Sequence, residues 1–230
     1  MCRLAIGNRE ATKLELAYIF RKLELSLGGH GNGIAMLKNN AVTIVKGTSL
    51  TTDEAARIIK DEEPEWFIFH TRLASCGKVA DENCHPFHVG NIVAAMNGTE
   101  PWLRSIAEEL GITDTEAFLL LIKEFKLDPF KMFKRSPSDW VGFIKVGGRW
   151  EPFISVGSLF CFYRKGQTIF LASELPHDVA EVVLSGQFTG FVKDIPWERL
   201  VPHRNVPTTK SKEFHWERRR SNEDSMVEPS

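Results

Sequence analysis

The 230-residue chain has no run of about 18 consecutive apolar residues, and its N-terminus lacks the charged-then-apolar pattern of a secretory signal. Those absences predict no transmembrane helix, no signal peptide and a cytoplasmic location. An excess of one charge is missing too. Lys and Arg total 29 against 30 Asp and Glu, a net charge of −1, which gives no electrostatic basis for nucleic acid or a membrane surface as partner. Cysteine is scarce: Cys2, Cys76, Cys84 and Cys161 fall far short of a disulfide scaffold and are expected to stay reduced. Cys76, Cys84, His85 and His88 lie close in sequence, but zinc sites favour about two residues between paired cysteines, and this spacing differs. No metal and no cofactor are expected. No internal repeat is visible.

The composition, 43% hydrophobic and 26% charged, suits a chain that buries a substantial core. Residues 2–7 read as a short buried strand. Residues 11–27 carry Leu16, Phe20, Leu23 and Leu27 at helical spacing and stop at Gly28-Gly29. A glycine-rich turn over 28–33 leads into strands 34–38 and 41–46, joined by Asn39-Asn40. Thr51 with Glu54 forms a capping box for a helix through Lys60. Residues 65–72 make the clearest strand, and 91–96 make another that ends at Asn97-Gly98. Thr99 is expected to cap a helix that stops just before Gly111, and Thr113 with Glu116 to box the next one, through Phe125. Short strands follow at 141–146, 150–155, 159–164 and 168–172, then a short helix after Pro176. Strands, then helices, then strands predict an α+β domain with antiparallel sheets over 1–205. Residues 206–230 read as a charged, disordered tail.

Chemistry-bearing residues gather where buried strands end. If Met1 is removed, Cys2 carries a thiol and a free α-amine on one Cα, so nucleophile and base need no distant histidine. Arg72 follows a core strand; it either reaches solvent or forks a carboxylate through parallel hydrogen bonds. Asn97-Gly98 is a turn, or an oxyanion hole built from a side-chain amide and a backbone N–H. Asp114 opens a helix, where it caps free N–H groups or pairs with a substrate ammonium. His85-Pro86 is a loop corner or a pocket wall.

The order of these segments carries more than any one of them. Cys2, the turn Gly29-His30-Gly31-Asn32-Gly33, His70-Thr71-Arg72, Asn83-Cys84-His85-Pro86-Phe87, Asn97-Gly98-Thr99 and Thr113-Asp114-Thr115-Glu116 follow one another over more than half the chain. The sequence resembles the glutaminase domain of class II glutamine amidotransferases, within the N-terminal nucleophile hydrolases. Its Cys-Arg-Leu opening and Asn-x-His-Pro-Phe segment resemble the stand-alone glutaminase and γ-glutamyl hydrolase branch. The resemblance covers about residues 2–173 and implies a four-layer αββα sandwich. It also implies Cys2 as nucleophile and its α-amine as base, with Asn97 and Gly98 as the oxyanion hole. Arg72, helped by Ser75, would hold the α-carboxylate of glutamine, Asp114 would hold the α-ammonium, and His85 would line the pocket. Two positions depart from the pattern: Met96 stands where relatives commonly have histidine, and Asn32 where the stand-alone branch often has an aromatic. The expected activity is release of ammonia from glutamine, with a separate ammonia-accepting synthase as partner. The alternatives are hydrolysis of a larger γ-glutamyl amide or peptide, or a catalytically idle interaction subunit.

Overall fold

The computed structural model describes residues 2–157, 160–175, 182–184, 187–196 and 200–202. In chain order the elements are β1 (Arg3–Asn8), α1 (Leu16–Leu27), β2 (Asn32–Lys38), β3 (Ala41–Gly47), α2 (Thr52–Glu62), β4 (Trp66–Thr71), β5 (Phe87–Val89), β6 (Ile92–Asn97) and α3 (Arg104–Leu110). After them come α4 (Asp114–Glu124), α5 (Pro129–Arg135), β7 (Asp139–Val146), β8 (Arg149–Val156), β9 (Cys161–Lys165), β10 (Thr168–Ala172), β11 (Val182–Leu184), β12 (Phe188–Phe191) and β13 (Leu200–Pro202). Among the described residues the strands form two sheets, antiparallel throughout. One runs β13-β11-β9-β10-β1-β4-β2-β3 and the other β12-β8-β7-β6-β5.

Strand alternation explains the layering. In β4, Phe67 and Phe69 point to α1 and α2, where Phe69 stacks on Phe20 with ring centroids 3.8 Å apart. Ile68 points the other way, into a second core between the sheets with Leu4, Ile6, Val93, Val141 and Phe143. A third core, centred on Trp140, Phe118, Phe133 and Phe153, sits between the smaller sheet and α3–α5. Three cores separate four layers, helix–sheet–sheet–helix, as expected. β1 and β4 lie inside the larger sheet and β6 inside the smaller, so their ends meet where both faces are covered.

Several local expectations are adjusted. The helix expected over 11–27 divides into a 3-10 turn (Arg9–Lys13) and α1, because Leu14 is extended. Thr51 and Glu54 make the full capping box; Thr113 caps α4 by accepting the Glu116 N–H. Thr99 caps nothing: a 3-10 turn, Pro101–Leu103, precedes α3, and its cap position falls on Glu100. The helix α5 was not foreseen, although Asp128 accepts the Lys131 N–H at its start and Pro129 occupies its first turn. The helix expected after Pro176 and the tail over 206–230 lie outside the described residues.

Candidate active site

Cys2 precedes β1, and β1 pairs with β4 so that Arg3 lies opposite Thr71. That register puts Cys2 beside the chain leaving β4 at Arg72 and Leu73. The Leu73 N–H donates to Cys2 Sγ at 3.3 Å, and the thiol reaches the Leu73 carbonyl at 3.6 Å. From the other sheet, the end of β6 supplies Asn97, whose Oδ1 accepts the Cys2 N–H at 3.0 Å. Burial pushes the Cys2 thiol above its ordinary pKa, only partly opposed by the Leu73 N–H and nearby positive charge. A buried thiol in this state needs a base before it can attack anything.

The glycine-rich turn is shaped by close approach. Gly33 lies against the His85 carbonyl so tightly that a Cβ there would sit 1.9 Å from the oxygen, and a Cβ on Gly31 would sit 2.5 Å from Cys84 Sγ. The turn bonds to the chain beyond β4 through Arg72 N–H to Gly31 O (2.8 Å) and His30 N–H to Arg72 O (2.9 Å). His30 Nδ1 also accepts the Ala74 N–H. Asn32, between the glycines, points away from the site and bonds Glu24 Oε1 and the Leu50 carbonyl.

Arg72 does not reach solvent; it is 2% exposed. Its guanidinium donates to the carbonyls of Lys78 (2.8 Å), Cys76 (2.8 Å) and Gly77 (3.3 Å), folding loop 73–78 back over the site. The fork therefore already holds its own loop, keeping Nε–H and one Nη1–H beyond those carbonyls. Asp114 lies in the first turn of α4, with Oδ2 accepting the Glu100 N–H (2.8 Å) and Oδ1 the Thr115 N–H (3.1 Å). Burial raises its pKa, against those two N–H groups. His85 bonds Thr115 Oγ1 through Nε2 (2.7 Å) and packs on His70, ring centroids 4.1 Å apart. Both rings are buried and held neutral. Burial takes His70 down to about 3, and burial with the neighbouring His70 takes His85 well below the ordinary value. The His70 Nε2–H donates to the Met96 carbonyl at 3.1 Å.

One cavity draws these groups together: Cys2, Arg72, Ser75, His85, Gly98 and Asp114 all line it. Asn97 touches the same place through the Cys2 nitrogen. Gly98 adopts φ +146°, and a Cβ there would meet Ser138 Oγ at 2.3 Å, so this turn requires glycine. Ser75 is exposed at the rim, 3.5 Å from Thr99 Oγ1. Of the four clustered metal-ligand types, Cys76 lines the cavity, while Cys84 bonds the Ala80 carbonyl and His88 is exposed against the Gly90 carbonyl. Sequence reasoning quoted His70 without giving it a part, and passed over the Leu73 main chain and Cys76 as a cavity wall. A histidine at the end of an otherwise apolar strand was the available signal for His70.

No family model matches the chain. It is 34% identical over 146 residues to the glutamine–fructose-6-phosphate aminotransferase (isomerizing) of Sulfurisphaera tokodaii, covering 56% of this chain and 24% of that enzyme. Against the same enzyme of Streptococcus pyogenes serotype M1 it is 33% identical over 153 residues, covering 60% and 25%. The chain thus spans about a quarter of the length of the curated relatives it matches. Among solved structures, the glutamine phosphoribosylpyrophosphate amidotransferase of B. subtilis superimposes with a TM-score of 0.52 at 18% identity, over 83% of this chain and 49% of that one. A second, described as the allosteric regulatory enzyme of purine biosynthesis, gives 0.53 at 19% identity with the same coverage. Two antiparallel sheets stacked between helical layers, in the arrangement of these two enzymes, make this the four-layer αββα fold expected from the sequence.

Proposed function

We propose that the protein hydrolyses the side-chain amide of glutamine through a γ-glutamyl thioester on Cys2. The observation that carries the reading is the junction at Cys2: its nitrogen bonds Asn97 Oδ1 at 3.0 Å while the residue lines a cavity with Arg72, Gly98 and Asp114. With Met1 removed, that nitrogen is an α-amine, with an ordinary pKa of about 7.7–8.0, placed to take the proton from its own thiol. Sulfur then attacks the amide carbon. Asn97 has spent its oxygen on the amine, so Nδ2–H is the end left to meet the oxyanion, together with the Gly98 N–H. The α-ammonium passes its proton to the departing nitrogen, the C–N bond breaks, and ammonia leaves. Water attacks the thioester carbon with the amine as base, releasing glutamate and restoring the thiol.

Arg72 would bind the substrate α-carboxylate through the N–H groups its loop leaves unused, with the Ser75 hydroxyl beside it. Asp114 would pair with the α-ammonium, and His85, neutral, would serve as wall. The ammonia is available to a synthase partner. The similarity of this chain to about a quarter of the length of the glutamine–fructose-6-phosphate aminotransferases supports that reading. Purified protein offered glutamine and a panel of γ-glutamyl amides should release ammonia and glutamate in equal amounts from glutamine. Turnover of the substituted amides alone would move the substrate to the larger γ-glutamyl class. Turnover of none would leave the idle-subunit reading.

A further inference from the structure

Glu100 is fully buried, yet it does not line the cavity that holds Cys2 and belongs to none of the groups given a chemical role above. Its side chain is enclosed by donors. Oε2 accepts the Trp102 Nε1–H at 2.8 Å, and Oε1 accepts the Ser136 hydroxyl. Ser136 Oγ in turn accepts two N–H groups, Trp140 Nε1–H at 2.7 Å and Ser138 N–H at 3.1 Å. A serine oxygen has two lone pairs and one proton, so with both lone pairs taken the proton must go to Glu100. Ser138 completes the frame by donating to the Thr99 carbonyl at 3.3 Å and by packing against Gly98.

The main chain of Glu100 faces the other way. Its N–H is the 2.8 Å donor to Asp114 Oδ2, and it lies two residues after Gly98. The Glu100 side chain therefore clamps, from behind, the short segment that carries the Gly98 N–H at one end and the Asp114 ligand at the other. We infer that Glu100 is a positioning residue, one that sets the oxyanion-hole turn and the ammonium-binding carboxylate in register with each other. This rests on the glutamine-hydrolysis reading above. The donor set makes the requirement unusually strict: both side-chain oxygens must accept. A glutamine in the same place puts an NH2 against either the Trp102 N–H or a Ser136 oxygen with no lone pair to give, and an aspartate is one methylene short.

The test uses E100Q, W102F and the double variant E100Q/W102F, in which phenylalanine removes the opposing donor so that the amide oxygen can keep Ser136. Each is measured for melting temperature, for steady-state ammonia release from glutamine, and for labelling of Cys2 by two reagents. One is a diazoketone analogue of glutamine, which needs the α-amino and oxyanion groups; the other is iodoacetamide, which needs only the thiol. E100Q is expected to lower kcat/KM at least tenfold, through both kcat and KM. Analogue labelling should slow by a similar factor, and iodoacetamide labelling should stay within about twofold of wild type, as lost charge-assisted bonds act on the groups they orient. The double variant should recover to within about threefold of W102F. E100Q that melts lower but turns over glutamine and takes up the analogue like wild type would make Glu100 merely structural and overturn the inference. Wild-type protein that neither hydrolyses glutamine nor reacts with the analogue would instead overturn the functional reading, and this assignment with it.

Discussion

Acid should unfold this protein through the ring pair beside the Cys2 cavity. His70 and His85 are both buried and neutral, with centroids 4.1 Å apart, and neither Nδ1 has a hydrogen-bond partner among the described residues. His70 is held at about 3 against an ordinary 6.5, chiefly by burial, with the Arg72 charge acting in the same direction and the Met96 carbonyl opposing. Between those two values the unfolded chain binds a proton that the folded chain refuses, so stability is intact above pH 6.5 and is lost as pH falls toward 3. At about 1.4 kcal/mol per pH unit the loss from His70 reaches about 3 kcal/mol by pH 4.5, against a total of about 5–15 kcal/mol for a typical domain. His85, lowered in the same direction, adds to the slope. Asp114 and Asp139, raised by burial, pull the opposite way, since their folded forms take up protons more readily. A comparison of wild type with His70→Gln cancels those shared contributions. The glutamine amide can still donate to the Met96 carbonyl and does not titrate. Urea unfolding followed by tryptophan fluorescence at pH 7.0, 6.0, 5.0 and 4.5 should show the wild-type midpoint falling faster than the variant's. The stability difference between the two should change by up to about 3 kcal/mol over the range. Parallel pH curves for the two proteins would mean His70 is not held neutral, and the reasoning about this layer would fail.

Two further outcomes follow from the cavity. Arg72→Lys keeps the charge but cannot serve a substrate carboxylate and the carbonyls of Cys76, Gly77 and Lys78 together. Losing bonds worth about 1.5–3 kcal/mol each to a charged group should lower kcat/KM about tenfold or more, and limited proteolysis should cut loop 73–78 faster; unchanged kinetics with an accessible loop would confine Arg72 to a structural part. Asn97→Ala removes an oxyanion donor and the acceptor for the Cys2 nitrogen, so kcat should drop about 10²–10³-fold with KM little changed. A raised KM with kcat intact would make Asn97 a binding residue.

What could be read in the sequence depended on whether a signal was local. The strand Trp66–Thr71 is nearly all apolar and bounded, and Thr51 to Glu54 is a spacing that closes on itself, so both were legible. The inward side of a strand end was not. His70 and Thr71 are adjacent and equally buried, but only the pairing of β4 with β1 and β2 turns His70 toward the second sheet. Arg72 could be read as a candidate binding group but not as a loop anchor, because nothing in its neighbours announces that carbonyls four to six residues later fold back onto it. Glu100 was hidden for the same reason: two of its partners, Asp114 and Ser136, lie 14 and 36 residues away. The edge strand β12, with only four residues and two aromatics flanking Thr189-Gly190, carried too little pattern to stand out.

The central claim is that Cys2 works as both nucleophile and base only when it begins the chain. An extra residue turns its α-amine into an amide, which cannot take the thiol proton. The direct measurement compares ammonia release from glutamine by protein whose intact mass shows it starting at Cys2 with release by the same protein bearing an uncleavable N-terminal extension. The account predicts that the extended form is folded, with an unchanged melting temperature, and inert. Equal turnover by the two forms would contradict it.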